Sequence, residues 1–191
     1  MLVTIFKFVQ FLIMGVFVVF ISDFRKKKGM VPLVNEKITK LLKFTYFIPV
    51  IICAYTLATL DYLTSFDFVA LALTSVGAVV VAKAKLDLGI CHTWAGYCKQ
   101  SSQLEVSGIY SYIRHPLYLG VHLFSIGGLV TLMLHAQWYL TLVAVMMGLF
   151  MVAFLTIAAS KETDYLTKNL GEHFVKYKER VHPFLPLKKY S

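Results

Sequence analysis

The 191-residue chain is 58% hydrophobic and 15% aromatic, and its mean hydropathy is +0.70, which is more apolar surface than a small soluble domain can bury. Its formal net charge is +9, but the basic residues fall in the gaps between apolar stretches. That distribution excludes a nucleic-acid-binding face and indicates contact with anionic lipid headgroups. An odd number of cysteines also argues against a disulfide framework.

The first apolar run covers residues 2–21, which is long enough to cross a bilayer as a helix. A basic cluster at 25–28 follows this run, whereas a signal peptide carries its positive charges before the apolar stretch. The run is therefore predicted to be a retained transmembrane helix with its amino end outside.

Four further apolar runs predict four more transmembrane helices. Pro49 lies within the second helix and predicts a kink. Only three residues separate the last two runs, which predicts an antiparallel hairpin. The sequence thus predicts an all-α polytopic membrane protein of about five transmembrane helices, forming a single membrane domain over 1–191. The four runs cover 44–60, 67–82, 117–134 and 138–159.

The distribution of basic residues predicts the topology. Seven Lys and Arg residues lie within 22–43 and none within 61–67, so the first loop is predicted to be cytoplasmic and the second external. Counting crossings then places 83–116 and 160–191 in the cytoplasm, where they form the predicted cofactor region. The host is expected to be the plasma or inner membrane of a prokaryote, or the endoplasmic reticulum of a eukaryote.

The stretch GIYSYIRHPLYLG at 108–120 is the richest in polar and aromatic groups. Pro116 is typical of a first helical turn and marks the start of the fourth transmembrane helix. The free N–H groups of that turn favour an anion, and Arg114 and His115 add charge and donors beside it. The alternative interpretation is that these residues are ordinary interfacial anchors.

Aromatic and acidic residues near this stretch complete a candidate site. Tyr110 and Tyr118 can pack on a flat ring or a sulfonium. The predicted hairpin brings Glu162, at the end of the fifth helix, to the same membrane face as His115. Its carboxylate can accept hydrogen bonds from the hydroxyl or amine groups of a ligand.

The carboxy-terminal tail has an apolar stripe at helical spacing, interrupted at Gly171. We predict that it forms an amphipathic interfacial helix that covers the site; a peripheral anchor without a catalytic part is the alternative. The stripe consists of Leu166, Leu170, Phe174, Tyr177 and Val181.

The stretch at 108–120, an apolar hairpin, and then LGEHFVKYKERVHPFLP occur here in a specific order and spacing. This combination, over 86–186, resembles the isoprenylcysteine carboxyl methyltransferase family, whose relatives include the phospholipid methyltransferases. The resemblance implies a five-helix core, an S-adenosylmethionine pocket between the last helices and the inner loop, and a lipophilic acceptor that enters from the bilayer.

The resemblance also assigns roles to individual residues. Arg114 and His115 are the expected catalytic residues, while Trp94 is a weak match to another family element. Ser102, beside Gln103, stands where the family usually has a histidine. The expected cofactor-binding residues are Leu104, Tyr110, His115, Pro116, Leu117, Tyr118 and Glu162.

The expected contacts of the acceptor are three residues, His122, Ala158 and Lys161. Ala158 stands where the carboxyl methyltransferases have an arginine that meets the acceptor carboxylate, so this chain lacks that bidentate group, and Lys161 is a candidate replacement. Methyl transfer to a carboxylate needs no general base, whereas an amine must first lose a proton to His115, His122 or Glu162. The alternative role of His122 is a packing hydrogen bond to the third or fifth helix.

Rival functions are weaker on the sequence. Cys91, His92 and Cys98 do not complete a zinc ligand set, so no metal is expected. The chain also lacks glycine-rich dinucleotide and Walker motifs. An NADPH-dependent enzyme resembling the sterol reductases and a non-enzymatic membrane scaffold remain as alternatives.

Overall fold

The computed structural model describes residues 1–22, 30–89, 97–99 and 104–186. Five of its helices are long and apolar enough to cross a membrane, which confirms the predicted all-α polytopic fold. A short sixth helix follows, as the tail pattern predicts. The helices are α1 (Leu2–Ile21), α2 (Glu36–Ala58), α3 (Ser65–Leu88), α4 (Pro116–His135), α5 (Trp138–Leu170) and α6 (Glu172–Arg180); a 3₁₀ turn covers Gly108–Ser111, and two strands, β1 (Met30–Pro32) and β2 (Tyr97–Lys99), form an antiparallel pair.

Three helices extend beyond the apolar runs that predicted them. α2 begins at Glu36 rather than at residue 44, because the side chain of Asn35 accepts a hydrogen bond from the Lys37 N–H (2.9 Å) and caps the helix there. α3 continues to Leu88 and α5 continues to Leu170. Hydropathy marks only the apolar part of a helix, and these polar turns are good helix formers outside it.

Glycines allow α3 and α4 to pack with their backbones in contact. A Cβ atom on Gly77 would lie 2.5 Å from the Phe124 backbone nitrogen, and one on Gly127 would lie 2.8 Å from the Ala70 carbonyl oxygen. Such close approach is typical of helix pairs in membranes, where small residues permit extensive van der Waals contact. α4 therefore has a close neighbour in α3 in addition to its predicted hairpin partner α5.

The two ends of the bundle are distinguished by different contacts. At one end, here called the outer end, His135 Nε2 lies 2.8 Å from Asp67 Oδ1, and α4 turns directly into α5. At the inner end, Lys85 donates to the Ser22 carbonyl, and β1 pairs with β2. The structure thus brings both predicted cytoplasmic loops to the same end, while the side of the membrane on which that end lies stays a prediction.

The core lies where α1, α3, α4 and α5 meet. Phe17 of α1 stacks on Phe124 of α4 with ring centroids 3.6 Å apart. Phe154 and Ala158 of α5 complete the same buried cluster. Large apolar side chains elsewhere on the long helices, including Leu149, are exposed on the outside of the bundle, as lipid contact requires.

Candidate functional site

The amino-terminal part of the site is a 3₁₀ turn fixed by the end of α3. Asp87 Oδ2 accepts a hydrogen bond from the Ile109 N–H (2.8 Å), and Lys83 pairs with the same carboxylate. Gly108 has φ +53°, and a Cβ there would collide with the Asp87 carboxylate. Sequence reasoning missed Asp87, because a single acid at a helix end carries no distinctive pattern.

Tyr110 joins this turn to α3 and α6. Its side chain is buried, and its hydroxyl donates to the Ala84 carbonyl (3.4 Å). Its own carbonyl accepts a hydrogen bond from the Tyr177 hydroxyl at 2.7 Å. Burial raises the pKa of both tyrosines above the usual range, so both stay neutral at physiological pH. Tyr110 therefore forms part of the wall of the site.

Residues 181–184, here called the tail strap, run alongside the RHP motif. The Arg114 N–H donates to the His182 carbonyl (3.0 Å), and the His115 N–H donates to the Pro183 carbonyl (2.9 Å). These bonds satisfy backbone donors just before α4 that would otherwise lack partners. The tail strap thereby ties the carboxy terminus to the start of α4.

The Arg114 side chain is only partly used by these contacts. Its Nε donates to the Val181 carbonyl (2.9 Å), whereas its Nη1 is buried and has no hydrogen-bond partner among the described residues. Burial lowers the pKa of the guanidinium, but arginine stays charged at neutral pH. A buried cationic donor is therefore free to receive an anionic group.

His115 lies at the amino end of α4, with its side chain 6% exposed. Its Nδ1 is 3.6 Å from Glu162 Oε2, and its Nε2 is 3.4 Å from Thr163 Oγ1. Burial, and then the charge of Arg114, lower the pKa of His115 to about 4. The imidazole is therefore neutral at pH 7 and has one N–H donor and one bare nitrogen.

Tyr118 and Glu162 complete a set of three with His115, here called the inner-end cluster. The Tyr118 hydroxyl donates to Glu162 Oε2 (3.4 Å), and the Tyr118 ring stacks on the His115 ring with centroids 5.6 Å apart. The Glu162 side chain is a quarter exposed, so one part of it faces a space that a ligand can enter. Pro116 is fully buried, and Leu117 packs on the main core.

The tail stripe faces the protein. Its carboxy-terminal members form a buried cluster on α6 and at the residue that follows it, and Leu104 packs against them. This arrangement packs Leu104 against the tail, and the Tyr177 hydroxyl joins the tail to the Tyr110 carbonyl of the 3₁₀ turn. The expectation that the tail covers a cofactor stays a prediction. The cluster contains Phe174, Tyr177 and Val181, with Leu104, Leu166 and Leu170 packed against it.

The residues expected to contact the acceptor lie in different surroundings. Ala158 is fully buried in the core. Lys161 is exposed, and it forms no ion pair within the described part of the chain. Trp94, Ser102, Gln103 and the Cys91–His92 neighbours lie outside the described residues. Within 1–22, 30–89, 97–99 and 104–186, no three or more His, Cys, Asp or Glu side chains are grouped so that they could hold a metal ion.

A cavity of about 380 Å³ lies between α1, α2, α4 and α5. Its wall is mostly apolar, and it extends along α4 from His122 to Leu132. The Phe184 ring lies between the cavity and the inner-end cluster, with its centroid 6.5 Å from that of His122 and 5.8 Å from that of His115. Within the described residues His122 forms no hydrogen bond to α3 or α5, so the predicted packing bond is not present there.

A family model described as phospholipid methyltransferase matches residues 66–173, which is more than half of the chain and includes the whole inner-end cluster. The chain belongs to this family. It is also similar to a curated relative, the protein-S-isoprenylcysteine O-methyltransferase of the fission yeast Schizosaccharomyces pombe. The two are 28% identical over 120 residues, which cover 62% of this chain and 48% of the relative. The chain thus spans about half the length of that relative. Family membership confirms the resemblance that the motifs at 108–120 and in the tail carry.

Proposed function

We propose that this protein is an S-adenosylmethionine-dependent methyltransferase that acts on a lipophilic acceptor at the cytoplasmic face of a membrane. The observation that carries the proposal is the convergence of His115, Tyr118 and Glu162 beside the unpaired guanidinium nitrogen of Arg114. Membership of a methyltransferase family gives the reaction class.

The groups at the inner end fit this cofactor. S-adenosylmethionine has an amino-acid carboxylate, which the free Nη1 of Arg114 suits, and hydroxyl and amine donors, which the partly exposed carboxylate of Glu162 suits. When bound, it supplies an electrophilic methyl group on a sulfonium. We assign its binding to Leu104, Tyr110, His115, Pro116, Leu117, Tyr118 and Glu162.

The protein's own contribution to methyl transfer is orientation and exclusion of water. A neutral thioether is a good leaving group, so alignment of acceptor and methyl provides most of the acceleration. Neutral His115 and Tyr118 are both buried and form a wall that is largely closed to solvent. The apolar cavity behind Phe184 suits the hydrocarbon part of an acceptor that comes from the bilayer.

The acceptor nucleophile that we propose is a lipid amine rather than a free carboxylate. Ala158 is buried and uncharged, and an unpaired carboxylate in such surroundings is unfavourable by several kcal/mol. The name of the fission yeast relative favours a second candidate, a prenylated cysteine carboxylate, with Lys161 in the role of the missing arginine.

Lys161→Ala separates the two candidates. Amine methylation is expected to change little in this variant, because Lys161 is exposed. If the second candidate is right, the variant loses activity on a farnesyl-cysteine analogue. Wild-type methylation of that analogue that is unaffected by Lys161→Ala would contradict both candidates.

The proposed cofactor is tested by calorimetry on the detergent-solubilised protein. We expect saturable binding of S-adenosylhomocysteine and none of NADPH. Binding of NADPH alone would favour a reductase resembling the sterol reductases, and binding of neither would favour a scaffold.

A further inference from the structure

His122 has a buried polar atom that the described chain leaves unpaired. Its Nδ1 is inaccessible to solvent and has no hydrogen-bond partner among the described residues. A buried polar atom without a hydrogen-bond partner destabilises a folded protein, because it has lost the hydrogen bonds that water gives it in the unfolded chain. In native structures such atoms are few, and a catalytic role or a bound water or ion is among the reasons for which they occur.

The other polar side chains of the cavity wall do have partners. Each of three hydroxyl groups there forms a hydrogen bond within the protein, so His122 is the member of this set that needs a partner from elsewhere. The bonds run from Ser125 Oγ to the Val121 carbonyl (2.8 Å), from Thr45 Oγ1 to the Leu42 carbonyl (2.8 Å), and between the Tyr46 and Ser22 hydroxyls (3.4 Å).

His122 also stands where the cavity meets the inner-end cluster. It follows Tyr118 by one helical turn, about 6 Å along α4, and Tyr118 contacts Glu162. The Phe184 ring lies against both His122 and His115. An acceptor with its chain in the cavity and its head toward the cluster therefore passes His122.

We propose that His122 is a catalytic residue that takes a proton from the acceptor's ammonium group; this inference rests on the proposed function. Neutral Nδ1 accepts the proton, and the nitrogen lone pair released on the acceptor attacks the sulfonium methyl. A C–N bond forms, and the C–S bond breaks with its electrons going to sulfur. His122 becomes neutral again by losing a ring proton through the cavity that it lines, after the products leave. His115 is less suited to this step because its two ring nitrogens already face Glu162 and Thr163.

Several other titratable groups lie on the cavity wall or at the inner end, and they have to be considered when the pH dependence of His122 is measured. α1 and the tail strap contribute apolar side chains at this point, Phe17 and Phe184. The titratable groups are Tyr46 and Cys53 of α2, which line the same cavity, His115 before α4, Arg114 beside it, and Glu162 of α5.

The test compares His122→Phe, which removes the proton acceptor, and His122→Asn, which keeps a polar group, with Thr156→Val as the control, because the exposed Thr156 hydroxyl lies outside the cavity wall and bonds the Val152 carbonyl. Methyl transfer to a single-chain lipid amine and the affinity for S-adenosylhomocysteine are measured for each variant. General-base catalysis contributes about 10²- to 10⁴-fold, so we expect both His122 variants to lose at least about 100-fold in kcat. Cofactor affinity in the His122 variants and the kcat of Thr156→Val are expected to stay within about twofold of wild type.

The pH profile separates proton transfer from packing. The deficit of the His122 variants is expected to shrink as the pH rises from about 7.5 to about 9.5, because more of the amine is then already unprotonated. Wild-type kcat in both His122 variants would overturn the inference, as would an equal loss in Thr156→Val or a deficit that is independent of pH. A wild type that binds the cofactor but methylates no lipid amine would instead contradict the proposed acceptor class, and the inference with it.

Discussion

His115, Tyr118 and Glu162 each supply a specific contact at the inner end, so each truncation tests the same site. We expect His115→Ala, Tyr118→Ala and Glu162→Ala to weaken S-adenosylhomocysteine binding by roughly ten- to a hundredfold, since a buried hydrogen bond involving a charged group contributes about 1.5–3 kcal/mol. Calorimetry measures the affinity, and thermal unfolding checks that each variant is folded.

The matched control is Thr156→Val on the same helix, because its exposed hydroxyl only bonds the Val152 carbonyl. Affinity in this control should equal that of wild type. Wild-type affinity in all three cluster variants would show that the cofactor binds elsewhere.

The pKa of His115 also predicts a pH dependence of stability. Its folded-state value of about 4 lies below the ordinary value of 6.5, so the unfolded chain binds the proton more readily. Above about pH 6.5 the His115 side chain is neutral in both the folded and the unfolded state, so it adds no pH dependence to stability. Between about pH 6.5 and about pH 4, His115 makes the folded state progressively less stable as the pH falls. The difference between the unfolding temperatures of wild type and His115→Asn should therefore be constant above this window and should change within it. A difference that stays constant throughout the window would contradict the assignment.

At the scale of elements, the position of the 3₁₀ turn depends on Gly108 and its fit against Asp87. Gly108→Ala introduces both a left-handed alanine, unfavourable by about 1–2 kcal/mol, and a collision with the Asp87 carboxylate. Gly89→Ala is the matched control, since Gly89 has φ +50° and open space around its Cβ position. Thermal unfolding should show a larger loss for Gly108→Ala, and cofactor affinity should fall only in that variant.

An equal effect of the two alanines would contradict this account of the turn. It would mean that backbone strain alone, and not the contact with Asp87, determines the outcome.

Local sequence signals predicted the helices much better than they predicted the contacts between distant segments. Apolar length revealed all five long helices, and Pro116 marked the start of α4 correctly. The pairing of β1 with β2 and the hydrogen bonds of the tail strap to Arg114 and His115 were not predicted. These contacts join residues far apart in sequence through backbone groups, which leave no periodic pattern in side-chain type.

Parts of the site were predictable for the same physical reason, and other parts were not. The hairpin of α4 and α5 brought Glu162 to His115 as expected, because a two-residue link leaves the helices little freedom. Asp87 was missed because its role depends on the path of the loop between α3 and α4. The unpaired state of His122 likewise follows from packing among four helices and not from its neighbours in sequence.

For the whole molecule, the distribution of basic residues predicts that the inner end is cytoplasmic. In a background without native cysteines, Tyr62→Cys between α2 and α3 should react with a membrane-impermeant maleimide on intact cells. Lys176→Cys on α6 should react only after permeabilisation; both side chains are exposed. The reverse pattern would show that the chain has the opposite orientation.

The central claim, that the inner-end cluster binds a methyl donor for a lipophilic acceptor, is tested most directly by transfer of label. Purified wild type in lipid vesicles is incubated with S-adenosylmethionine labelled on its methyl group, beside Glu162→Ala and Thr156→Val. We expect label in the lipid fraction with wild type and Thr156→Val, and a loss of roughly tenfold or more with Glu162→Ala at subsaturating cofactor. Equal labelling by wild type and Glu162→Ala, or no labelled lipid with a wild type that binds S-adenosylhomocysteine, would contradict the account.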